Sequence, residues 1–332
     1  MAVETFGTAE GGETVHRLLL GNGPLSVAVL TYGANLQDVR LDGVAHSLTV
    51  GSPELAAYEG RMASCGGLMG PVVNRIAGAS AEIDGTTFTF TKNFNDRHTI
   101  HGGDAAFHRR VWEIVDEGPS HAVLRMTAPD GESGFPGNRT VTARYDVMDD
   151  ATLRLTLTAE TDAPTLLNLA NHSYWRMDDA PTVEGQVLTV AADHVLPRDD
   201  EMIVTGEILP VDGTRFDYRQ GRALEAGAEG LIDNNFCVSQ QREPLRPVAS
   251  LQGKSGVRME MSSTEPGLQV FDGHILDLPQ YSGNDGPSPV AYCGVALEAQ
   301  FWPGATAHPA FPDITLRPGD DWQQVTEWRF TR

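Results

Sequence analysis

The sequence predicts an all-β protein, a large antiparallel β-sandwich, and three observations carry that prediction. Short runs of alternating apolar and polar residues, rich in Val, Thr, Leu and aromatics, recur along almost the whole chain. Turn-forming pairs separate them. Helix-like stretches are scarce, and 35 glycines with 20 prolines suit a chain that turns often.

In order, strands are expected at Val15–Leu20, Leu25–Tyr32, Thr86–Thr91, Ala122–Thr127, Arg139–Val147, Thr152–Ala159, Gln186–Ala191, Val257–Met261, Gly294–Phe301 and Gln323–Phe330. Asn22-Gly23-Pro24, Asp42-Gly43, Asp84-Gly85, Asp130-Gly131, Pro136-Gly137 and Asp212-Gly213 punctuate them. One short helix is expected over Pro53–Tyr58 with Ser52 as its N-cap. Thr165–Trp175 reads as a continuous strand. Leu167, Leu169, Asn171, Ser173 and Trp175 would share one face, and Asn168, Ala170, His172 and Tyr174 the other. Asp277–Ser288 reads as a surface loop, and no fixed-period repeat points to a propeller or solenoid.

Composition narrows the function. A net charge of −21, spread along the chain, argues against nucleic acid and anionic membranes as partners. Cys65, Cys237 and Cys293 are odd in number and far apart, so free thiols in a reducing compartment are expected. No apolar run approaches the roughly 20 residues that span a bilayer, and no signal-peptide pattern opens the sequence. A cytoplasmic protein is the expectation, with removal of an earlier leader left open.

Four segments carry polarity where a strand protein would place a site. Arg75, in Asn74-Arg75-Ile76, offers a rigid fork of donors, or else an ordinary structural ion pair. His98 and His101 lie three apart in a loop that ends in Gly102-Gly103. That spacing alone does not make a metal site. The glycines allow close backbone approach, and His101 is either a donor beside it or structural. His172 and Tyr174 put two titratable rings on one side of a strand. Glu298 sits in the apolar Gly294–Phe301 run, where a carboxylate is costly unless it is paired, used as a base, or on an exposed edge. Asp233 in Asp233-Asn234-Asn235-Phe236 reads on its own as turn chemistry.

Taken in order, a set of motifs resembles the aldose 1-epimerase (galactose mutarotase) family nearly end to end. The set is Thr31-Tyr32-Gly33-Ala34-Asn35-Leu36, Asn74-Arg75-Ile76, His101-Gly102-Gly103, Gly134-Phe135-Pro136-Gly137, Asn168-Leu169-Ala170-Asn171-His172-Ser173-Tyr174, Pro210 through Tyr218, Leu297-Glu298-Ala299-Gln300, His308-Pro309-Ala310-Phe311-Pro312 and Leu316-Arg317-Pro318-Gly319. The resemblance implies a single supersandwich domain over residues 1–332 that interconverts the α and β anomers of a free aldose, with neither metal nor cofactor. It implies Glu298 as general base and His172 as general acid. Arg75, His101 and Asp233 would hold sugar hydroxyls, with Asn74 and Tyr174 beside them and Gln269 as a further candidate. Acid and base would flank the C1–O5 unit, held several ångströms apart by the sugar. The chain departs from the family at Asn234, where a His is usual, and at Ala170 and Trp175. A silent sugar-binding protein, a hexose-phosphate mutarotase and a glycoside hydrolase or lyase remain as alternatives. The preferred aldose and the choice between monomer and homodimer stay open.

Overall fold

A computed structural model describes residues 2–227 and 232–332. Among them, three antiparallel sheets dominate. The largest has nine strands in the spatial order Glu113–Gly118, His121–Ala128, Arg139–Val147, Thr152–Thr161, Trp322–Thr331, Arg258–Ser263, Arg246–Gln252, Val187–Val190 and Arg222–Ala223. A six-stranded sheet runs Tyr174–Trp175, Val295–Gln300, Gly267–Phe271, Asp233–Cys237, His194–Val195 and Leu209–Pro210. The four N-terminal strands, Ala2–Thr8, Thr14–Asn22, Leu25–Leu30 and Asn35–Leu41, form the third in sequence order.

Alternation explains how the two larger sheets share one core. Leu153, Leu155 and Leu157 point inward from the nine-stranded sheet, as do Met259, Met261, Trp328 and Phe330. Val295, Leu297, Ala299, Leu268, Val270, Phe236 and Trp175 meet them from the six-stranded sheet. Burying such side chains contributes about 1.5–3 kcal/mol each, which is ample to fix the inward face. Among the described residues, no helix is long and apolar enough to cross a membrane. The three cysteines are free and buried.

Several expectations need correction. Thr165–Trp175 is three two-residue strands, Thr165–Leu166, Ala170–Asn171 and Tyr174–Trp175, each paired with a different partner. The polypeptide steps from one sheet to the next there, so no single ladder runs through it. The helix spans Leu55–Glu59, with Glu54 rather than Ser52 at the N-cap position. The Ser52 hydroxyl closes a local turn instead, accepting from the Glu54 N–H at 3.1 Å. Asp233–Cys237 is a buried interior strand and not a turn.

Candidate active site

Register puts four of the expected site residues on the outer face of the six-stranded sheet. Gln269 lies opposite Glu298, Asp233 opposite Phe271, and Tyr174 opposite Ala296. Each of the four is therefore directly across from, or diagonal to, the next. Their neighbours in sequence, Val270, Leu297 and Trp175, fill the core on the other side. The Glu298 strand is interior to its sheet, so the carboxyl is enclosed by fold and not placed on an exposed edge.

His172 comes from the link between two short strands and is held by its backbone. Its N–H donates to Gly67 O at 3.0 Å, and its carbonyl accepts from Gly66 N–H at 3.1 Å. Asn171 Nδ2 donates to Gly66 O at 2.8 Å. Gly66 has φ +80°, and a Cβ there would lie 2.3 Å from Leu36 O, so glycine is required.

His101 and Asn74 hold each other on the next wall. Both have positive φ, 51° and 64°. The His101 N–H donates to Asn74 O at 3.0 Å, and Asn74 N–H donates to His101 Nδ1 at 3.2 Å. An Nδ1 that accepts leaves the proton of the neutral ring on Nε2. Gly102 supplies the close approach expected of the glycine pair, since a Cβ there would meet Gly70 O at 2.1 Å. His98 is placed differently: its Nδ1 accepts from Gly78 N–H at 2.9 Å in a structural role.

All eight residues named from sequence, Asn74, Arg75, His101, His172, Tyr174, Asp233, Gln269 and Glu298, line one cavity of about 220 Å³. This is smaller than the roughly 300–1,000 Å³ of drug-sized pockets and suits a small polar ligand. Ser64, Ile100, Phe271 and Ile275 complete the wall. Sequence reasoning missed these four. Ile100, beside His101, and Phe271, two positions from Gln269, carried positional hints.

The electrostatics centre on one contact: His172 Nε2 lies 3.4 Å from Glu298 Oε1, with the residues 4% and 2% exposed. Burial holds the Glu298 carboxyl well above its usual range, and the Asp233 charge adds to this while Arg75 opposes it. Burial pushes His172 down to about 4, against its backbone hydrogen bond and Asp233. His101 is also driven well below its ordinary value, by burial first and then by His172, His108 and Arg75. Burial keeps Tyr174 a neutral phenol.

Asp233 is the most heavily bonded group of the wall. Oδ1 accepts from Gln269 Nε2 at 2.6 Å. Oδ2 accepts from Arg198 Nη1 at 2.8 Å and from Arg75 Nη2 at 3.5 Å. Glu298 Oε2, His172 Nδ1 and Arg75 Nε are buried and unpartnered among the described residues. Such unspent capacity in a cavity wall fits a site built for a polar ligand. No group of His, Cys, Asp or Glu among the described residues is arranged to hold a metal ion.

A small polar cavity on the outer face of a buried antiparallel sheet, with an imidazole touching a carboxyl group, defines a β-sandwich protein equipped for proton transfer. The family model described as aldose 1-epimerase matches residues 16–329, and the chain belongs to that family. A galactose mutarotase from Rattus norvegicus is 31% identical, over 97% of this chain and 95% of the relative. An aldose 1-epimerase from Escherichia coli K12 is 29% identical, over 99% of each chain. Among solved structures, an aldose epimerase homologue from C. elegans superposes with a TM-score of 0.88 at 29% identity, covering 95% of this chain and 98% of that one.

Proposed function

We propose that this aldose 1-epimerase interconverts the α and β anomers of a free aldose with Glu298 and His172 as the proton-transfer pair. The observation that carries the residue roles is their 3.4 Å contact inside the cavity. The expectation was of two groups on either side of the C1–O5 unit, held several ångströms apart by the sugar. The oxygens they must serve, the C1 hydroxyl and the ring oxygen, are bonded to the same carbon. An acid and a base that are neighbours can therefore address both.

Ring opening needs the C1 hydroxyl proton removed and the ring oxygen protonated. Transfer of the Glu298 proton to His172 across their contact gives the carboxylate and imidazolium that do this together. The C1–O5 bond breaks, and the pair is left as carboxylic acid and neutral imidazole. Those are the forms that burial favours at both residues. The pair thus holds one proton and no net charge throughout, and the open-chain stage is the one in which each member is uncharged. Rotation about C1–C2 presents the other face of the aldehyde. Glu298 then returns its proton to the carbonyl oxygen, while His172 takes the proton from the O5 hydroxyl as that oxygen attacks C1.

Arg75, His101, Asp233, Asn74 and Gln269 hold the remaining hydroxyls, and Tyr174 packs against the acid, its ring 5.1 Å from the His172 ring. His101 offers an Nε2–H donor because its Nδ1 is occupied. The sugar to test first is D-galactose, named in the relatives, with D-glucose beside it. Freshly dissolved α-anomers followed by polarimetry should relax much faster with the protein than in buffer. Relaxation at the buffer rate, with the protein folded, overturns the reading.

A further inference from the structure

We infer that Arg198 is a positioning residue that binds Asp233 so that Arg75 stays free for sugar oxygens, a proposal that rests on the mutarotase reading above. The two arginines share one acceptor, Asp233 Oδ2, but unequally. Arg198 Nη1 is at 2.8 Å, within the range of a strong charge-assisted bond, whereas Arg75 Nη2 is at 3.5 Å, at the limit of one. The Arg75 side chain is spent elsewhere only lightly. Its guanidinium lies over the Phe94 ring at 4.7 Å, Nη1 reaches Asn74 Oδ1 at 3.4 Å, and Nε is unpartnered among the described residues. Arg75 lines the cavity, and Arg198 stands behind Asp233 as its counter-ion.

The chain builds Arg198 into place from two sides. The Leu196 N–H donates to Asn235 O, and Asn234 Nδ2 donates to Leu196 O at 3.1 Å, so the segment entering Arg198 is tied to the Asp233 strand. Arg198 itself bridges to Val204 across a tight reversal, where Asp199 N–H donates to Ile203 O. Glu201 at its tip pairs with Arg97 at 2.5 Å and reaches His98 Nε2 at 3.5 Å. That clasps the reversal to the loop that carries His101. Asp272, the other acid whose charge acts on Arg198, is already engaged by His274 Nδ1 at 2.8 Å and by the Ile232 N–H at 3.1 Å. Asn234, the departure from the family's usual His, is therefore part of the same brace.

Without Arg198, the cation left beside Asp233 is Arg75, at 3.5 Å from Oδ2. Arg75 would close on Oδ2 and lose donors that face the cavity. The loss should fall on binding and leave the Glu298–His172 pair in place.

The test compares Arg198→Met and Arg198→Lys with the parent protein, using α-D-galactose in NMR exchange or polarimetric assays and calorimetric titration of the same sugar. Arg198→Met should raise KM and Kd by about tenfold or more with kcat within about threefold. Arg198→Lys, which keeps the counter-charge, should recover most of the affinity. Should Arg198→Met not fold, Arg198→Gln against Arg198→Lys makes the same comparison. Unchanged affinity in the neutral variant, a loss confined to kcat, or equal losses in the Lys and neutral variants would each overturn the proposal. An inactive parent protein would sink the mutarotase reading instead, while the calorimetric Kd values still decide the role of Arg198.

Discussion

The nine-stranded and six-stranded sheets obey the same alternation and use it for opposite ends. In Arg139–Val147 every second residue is buried and the residues between are half-buried and polar, because the outer face meets water. In Val295–Gln300 all six residues are buried, although Glu298 and Gln300 are polar. The outer face of the smaller sheet is roofed by the loops carrying Arg75 and His101, and there Glu298, Gln269, Asp233 and Tyr174 meet. One sheet invests its polar positions in solubility. The other encloses them, which shifts their proton affinities toward uncharged forms.

If that contrast is right, substitutions in the two sheets should fail in different ways. The largest effect is expected for Glu298→Gln and for His172→Asn. Each should lower kcat by about 10²–10⁴-fold in polarimetric assays while circular dichroism shows the fold retained. In the nine-stranded sheet, Leu155→Ala should reverse the pattern. Denaturant unfolding should show a loss of about 2–5 kcal/mol, with kcat near normal in the folded fraction. Gly66→Ala should cost about 1–3 kcal/mol and also slow turnover, because the clash with Leu36 O displaces the backbone that seats His172.

The pH dependence of stability sharpens the comparison further. Native Glu298 keeps a proton that the unfolded chain gives up above its ordinary value of 4.5. The native state then binds more protons, so this group's contribution to stability falls as pH rises from there. Glu298→Gln removes that fall. Its melting temperature should gain on the parent protein between about pH 4.5 and 7, and a constant difference would show that the native carboxyl is not raised. The smallest effect is expected at Thr158→Val, on the water-facing side of the large sheet, where unfolding should change by no more than about 0.5 kcal/mol.

The same contrast decides how much could be read from sequence. Water-facing sheets write themselves in alternating polarity, so Arg139–Val147 was expected with its bounds as found, and Thr152–Thr161 with only its end misjudged. The enclosed sheet does so unevenly: Gly294–Phe301 was expected one residue too long at each end of Val295–Gln300. Asp233-Asn234-Asn235-Phe236 has the residue types of a turn, and only pairing on both sides makes it a strand. Thr165–Trp175 kept its alternation while changing partners, a break that local pattern does not record. The site residues were named through ordered motifs, and the fold brings them to one cavity. Arg198 had no such signal. It lies 35 residues before its partner, in an Arg-Asp-Asp stretch that reads as ordinary turn.

One consequence of the strand register concerns quality control. Sliding Gly267–Phe271 by a single position would send Gln269 into the oily interior and expel Leu268 and Val270 toward the sugar, ruining packing and chemistry in one stroke. Turnover is therefore a built-in audit of assembly: a molecule that spins anomers has already proved that its strands were threaded correctly.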